Sequence, residues 1–173
     1  MPPPPLHTCI VCLGSEIRAD DGVGIVVGRV LQRLELPRHV RVCFLPAVGL
    51  DLTDVLLDAA RVVVVDAWPT GAPAGTVRRA GLAALGPGRP GGWTHELSLR
   101  QVMATVERLY PARPLPELRL VGVEPATMHG FGPPGAAVRA ALPEAVAAVL
   151  REAELEPLVQ PGQREARALA DAL

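Results

Sequence analysis

The 173-residue chain contains no lysine; its 17 basic residues are all arginine, against 18 acidic ones, for a net charge of −1. The missing lysine is a bias of composition and points to no activity. The arginines form no basic stripe, so nucleic acid is not an expected partner. No apolar run reaches the ~20 residues that span a bilayer, and no membrane partner is expected either. The opening Met1-Pro2-Pro3-Pro4-Pro5 lacks the charged and apolar regions of a secretory signal. Residues 1–6 are read as a disordered, proline-rich N-terminus and the protein as cytoplasmic. Cysteine is scarce, with three residues in all. Cys9 and Cys12 stand in a Cys-x-x-Cys pattern, but on a strand an offset of three puts them on opposite faces. Cys43 stands alone on another predicted strand, and all three are read as small buried hydrophobes.

Several catalytic signatures are also missing. There is no Gly-x-Ser-x-Gly elbow, no His-Glu-x-x-His and neither a P-loop nor a Gly-x-Gly-x-x-Gly turn. A serine hydrolase is therefore unsupported, and a nucleotide-binding module would rest on fold analogy alone.

What remains is a strong alternation of apolar patterns in a chain that is 49% hydrophobic and 20% charged. Residues 7–13 predict a strand. Val23, Val26, Val27, Val30, Leu31 and Leu34 then recur at helical spacing, and Pro37 ends that helix. Val40 to Leu45 predicts a second strand, and Leu52, Val55, Leu56 and Ala59 a second helix. Val62-Val63-Val64-Val65 shows no alternation, as in a strand buried on both faces of a parallel sheet. Gly75 to Arg79 predicts a short strand. Leu99, Val102, Met103, Val106 and Leu109 predict a helix, and Leu118 to Val123 a further strand. The last helical region carries Val138, Leu142, Val146, Val149 and Leu150, with Pro143 either kinking it or starting a second helix. The expectation is one α/β domain over residues 7–153, a mostly parallel twisted sheet of about five strands with helices on both faces, followed by a C-terminal tail over 154–173 with room for a helical turn at 163–172.

The stretch from Leu13 to Gly24 follows the first strand, where open α/β sheets bind ligands. It carries two adjacent aspartates, Asp20 and Asp21. Adjacent carboxylates are costly without a cation, although either could simply cap the following helix. Asp66 ends the valine strand at the same sheet edge. His95 sits in a loop ahead of a helix whose Ser98 and Gln101 have capping-box spacing. Two carboxylates and an imidazole form a plausible set for a divalent transition metal with positions left open.

Taken with their surroundings, these residues resemble the hydrogenase maturation proteases. The resemblance runs over about residues 7–153. Its carriers are Leu13-Gly14-Ser15 through Asp20-Asp21-Gly22-Val23-Gly24, Val64-Val65-Asp66-Ala67 with Pro73-Ala74-Gly75-Thr76, His95 with Leu97-Ser98, and Leu120-Val121-Gly122-Val123-Glu124-Pro125. The chain departs from the family at Cys12-Leu13-Gly14-Ser15, where Gly-x-Gly-Asn is usual, at Leu45-Pro46-Ala47, and at Pro133-Pro134.

The resemblance implies an aspartic-type-like endopeptidase that removes a C-terminal extension from the precursor of a nickel–iron hydrogenase large subunit. It implies Asp21, Asp66 and His95 as catalytic residues and metal ligands. The metal would be a divalent ion, nickel supplied by the substrate, with cadmium or zinc able to substitute. Ser15, Asp20, Trp68, Trp93 and His129 are candidate substrate contacts. The tryptophans stand out because the chain has only two, with two phenylalanines and one tyrosine, and each lies two residues from a candidate ligand. The alternative reading is a non-catalytic protein that binds a metallated partner as a checkpoint.

Overall fold

A computed structural model describes residues 7–84 and 96–173. Five strands form one sheet: β1 (His7–Leu13), β2 (Val40–Leu45), β3 (Ala59–Ala67), β4 (Val77–Gly81) and β5 (Glu117–Val123), in the order β2-β1-β3-β5-β4. The first four in that order run parallel, and β4 closes one edge antiparallel to β5. The helices are α1 (Val23–Leu31), α2 (Leu52–Asp58), α3 (Glu96–Leu109), α4 (Ala136–Glu152) and α5 (Val159–Ala172).

The strand residues alternate between two apolar layers. Ile10, Cys12, Val63, Val65, Val121 and Val123 face α1, α4 and α5. Cys9, Val11, Leu13, Val62, Val64 and Leu120 face α2 and α3. The sheet is therefore covered on both sides, and the four valines of β3 are no more than 1% exposed. Each contributes about 1.5–3 kcal/mol relative to an exposed side chain, so the unbroken valine run is the signature of a central strand. Cys9 and Cys12 lie in opposite layers, as strand geometry requires.

Three elements differ from expectation. First, α1 stops at Leu31, short of Pro37; Leu34 and Leu36 pack on the core from the turns that follow. Second, Leu109, counted on the apolar face of α3, is 65% exposed where that helix ends. Of the two alternatives at Pro143, the structure shows one continuous α4, held on either side of the proline by fully buried Leu142 and Ala145.

The third difference is the largest. The C-terminal tail expected over 154–173 folds as a 14-residue helix, α5. Val159 and Ala166 are buried on the core layer that contains α4. The contact is made by small residues and a few aliphatics, which carry a weak hydrophobic signal in sequence.

Candidate functional site

The strand order changes direction between β1 and β3: the chain passes from β1 to β2 on one side, then crosses to β3 on the other. Ligand crevices of open α/β sheets form at such switch points, beyond the carboxyl ends of the strands. Asp21 and Asp66 both lie there.

The loop after β1 is shaped by close backbone packing. Gly14 has φ of +123°, and a Cβ on it would lie 2.0 Å from the carbonyl oxygen of Asp21. Only glycine allows this fold-back. Gly24 lets the first turn of α1 sit on the strand ends, since a Cβ there would lie 2.3 Å from the Leu13 carbonyl and 2.6 Å from that of Val65. Between them Ala19 is held at φ of +41°, a conformation that costs a non-glycine residue on the order of 1–3 kcal/mol. It is retained by pairing with a distant loop: the Ala19 amide donates to the Gly132 carbonyl at 3.0 Å, and the Gly132 amide to that of Ile17 at 3.2 Å.

The two adjacent aspartates then separate in role. Asp20 is fully buried. Its Oδ2 accepts from the amides of Ala126 at 2.7 Å and Thr127 at 3.1 Å, and its Oδ1 from that of Gly135 at 2.6 Å. No side-chain cap is made at α1, whose N-cap is Gly22. Asp20 instead satisfies the amide of Gly135, the N-cap of α4. The expectation of Asp20 as a substrate contact is corrected: a carboxylate with no exposed surface is a structural clamp between the β1–α1 and β5–α4 loops.

Asp21 and Asp66 share one cleft of about 580 Å³, with Arg18, Pro46, Ala47, Met128, His129 and Phe131 among its walls. Asp66 is 3% exposed, and its Oδ1 accepts from the Ala67 amide at 2.8 Å. Past Phe131 the surface continues into an apolar groove of about 570 Å³ along Ile17, Val26, Pro133 and Leu169. Phe131 belongs to both and is 86% exposed.

Glu124, at the end of β5, steadies the opposite loop. Its carboxylate accepts from the Thr70 amide and the Gly71 amide, each at 2.9 Å, and from the Thr70 hydroxyl at 2.6 Å. Burial pushes its pKa up, but the Thr70 hydroxyl and the amides of Thr70, Gly71 and Ala72 outweigh that and hold the carboxyl below its usual range.

The remaining expected residues are placed as follows. His129 is exposed and lines the cleft. Ser15 is half-buried in the β1–α1 loop, its carbonyl accepting from the Arg18 amide at 3.1 Å. Trp68 does not wall the cleft. It packs on the core layer of α2 and α3 with its ring against Gly122, where a Cβ would lie 2.5 Å from the indole. Trp93 and His95 lie outside the described residues. Among the described residues, no three His, Cys, Asp or Glu side chains are grouped to hold a metal ion. The described donors at the cleft are two carboxylates, oxygen ligands suited to a divalent cation, and the imidazole of His129.

The sequence reading missed Arg18, Phe131 and Glu124. Phe131 had a signal, being one of five aromatics and flanked by glycines. Glu124 had one too, as an acid directly after a strand. Nothing local distinguished Arg18.

A three-layer α/β domain with a carboxylate cleft at its switch point is the class the fold and site define. No family model and no curated protein matches the chain. Solved structures do share the fold. The hydrogenase maturating endopeptidase HybD from E. coli superposes with a TM-score of 0.70 at 20% identity, over 84% of this chain and 93% of that one. The [NiFe] hydrogenase maturation protease HybD from Thermococcus kodakarensis gives 0.68 at 20%, over 85% and 99%. The hydrogenase 2 maturation peptidase from a Thaumarchaeota archaeon gives 0.65 at 23%, over 87% and 99%. The fold is that of the hydrogenase maturation endopeptidases.

Proposed function

We propose that the chain is a peptidase of the hydrogenase maturation type, removing a C-terminal extension from the nickel-loaded precursor of a hydrogenase large subunit. The observation that carries this reading is the convergence of Asp21 and Asp66 on one cleft, in a fold shared with structures that perform maturation. The cleft is open and runs on into an apolar groove, which suits an extended polypeptide better than an enclosed small molecule.

In this reading Asp21, Asp66 and His95 receive the nickel ion already seated in the substrate. Two carboxylates facing one cleft are stabilised by a shared cation, which couples metal occupancy of the substrate to docking. A bound divalent ion polarises a carbonyl or lowers the pKa of an attacking water. The chain's own contribution is to position: Gly14 and the Ala19–Gly132 pairing fix the Asp21 loop, β3 fixes Asp66, and the apolar surface of Phe131 holds the peptide.

The test is incubation with a large-subunit precursor prepared with and without nickel, followed by intact mass. Loss of the C-terminal extension from the loaded precursor alone is the expected result. An intact loaded precursor overturns the peptidase reading, and co-purification without cleavage would favour a checkpoint protein instead.

A further inference from the structure

Cys43 is not isolated. It lies on β2, the edge strand, and its sulfur sits 3.2 Å from that of Cys9 on β1. The pairing register sets Cys43 against Val11 and Cys9 against Arg41, so the two thiols meet diagonally across the parallel pair, on the face covered by α2. Cys12, the nearer neighbour of Cys9 in sequence, is on the opposite face and fully buried.

We propose that Cys9 and Cys43 form a reversible disulfide site, with Cys43 as the entry thiol, Cys9 as the resolving thiol and a low-molecular-weight disulfide as oxidant. A bond needs about 1.2 Å of further approach between the sulfurs. Access separates their roles. Cys9 has no exposed surface and cannot meet an external reagent, whereas Cys43 is half-buried on the sheet edge.

The electrostatics agree with that division. The contact from Cys9 and the charge of Arg41 hold the Cys43 thiol below its usual range against the opposing effect of burial. The same contact, together with burial, holds Cys9 above it. Of the two, the partly accessible and stabilised thiolate is the one that attacks.

The exchange balances in two steps. The Cys43 thiolate attacks one sulfur of oxidised glutathione, forming a mixed disulfide and expelling one glutathione thiolate. Cys9 then attacks the Cys43 sulfur, forming the protein disulfide and expelling the second glutathione, whose departing sulfur takes the Cys9 proton. Two protein thiols are oxidised, and one small disulfide is reduced to two thiols. The crosslink fastens the edge strand whose following residues, Pro46 and Ala47, wall the carboxylate cleft. This inference is independent of the proposed peptidase activity.

The test is treatment of the folded full-length chain with oxidised glutathione, followed by alkylation under denaturing conditions and peptide mapping. The expected product has lost two hydrogens, links the Cys9 and Cys43 peptides, leaves Cys12 alkylated, and reverts with dithiothreitol. Cys9→Ser should stop at the mixed disulfide on Cys43, and Cys43→Ser should be inert until unfolded. A wild-type chain that keeps glutathione on Cys43, uses Cys12 as partner, or does not react at all overturns the proposal.

Discussion

The carboxylate of Asp20 accepts a 2.6 Å hydrogen bond from the amide of Gly135, 115 residues away in sequence. With the amides of Ala126 and Thr127 it completes a clamp that ties the loop bearing Asp21 to the head of α4. Neighbouring aspartates thereby divide the work: one fixes the loop and the other faces the cleft.

The first prediction follows from that division. Asp20→Ala leaves three backbone amides without their carboxylate acceptor, and hydrogen bonds to a charged group contribute about 1.5–3 kcal/mol each. We expect a loss of at least about 2 kcal/mol, read from urea unfolding midpoints at unchanged m-value. Asp21→Asn, which keeps the side-chain shape and leaves the Asp20 clamp intact, is expected to cost less than Asp20→Ala. Equal destabilisation by both would contradict the division.

Glu124 sets a pH dependence. Its folded-state pKa is depressed, so the unfolded chain takes up a proton more readily than the folded one. The stability it contributes is fully present above the unfolded carboxyl range of about 4.3 and is lost as pH falls through the lower folded value. Denaturant titrations from pH 6 down to pH 3 should show a shallower decline for Glu124→Gln than for wild type. The variant should also be less stable at pH 6, because its amide nitrogen meets backbone donors. Parallel acid limbs would contradict the assignment.

Gly14→Ala tests the loop geometry. The added Cβ meets the Asp21 carbonyl at 2.0 Å, on a backbone that L-residues rarely adopt. Asp21 must move, and a misplacement of 1 Å can cost about 10²-fold in rate. Precursor cleavage should fall by at least that order while the far-UV circular dichroism spectrum is retained.

Phe131→Ala separates binding from chemistry. The ring is 86% exposed, so its removal should change stability by less than about 0.5 kcal/mol. If the groove beside the cleft carries the peptide, KM for the precursor should rise severalfold with kcat little changed, a loss of uniform binding. An unchanged KM would remove Phe131 from the substrate path.

How much of this was legible in the sequence depended on range. The valine run of β3 and the helical spacing of α1 report local burial, and they gave the layered sheet directly. Asp66 was recognisable because a charge after four buried valines must lie at a strand end. The separation of Asp20 from Asp21 was not legible: it depends on where the amides of Ala126, Thr127 and Gly135 fall, and nothing near residue 20 records that. The Cys9–Cys43 contact escaped for the same reason, since strand order and register, not sequence spacing, bring the two sulfurs together. The full length of helix α5 escaped because the residues it buries, Val159, Gly162 and Ala166, are few and small.

The proposed peptidase needs Asp21 and Asp66 to act together on the scissile end of a nickel-loaded substrate. The decisive measurement is the cleavage rate of that precursor by wild type, Asp21→Asn and Asp66→Asn, with each variant first shown to be folded. Each substitution alone is expected to lower the rate by at least about 10²-fold, and the double variant to be little worse than either, as for residues acting as a unit. Cleavage at the wild-type rate by either folded single variant would contradict it.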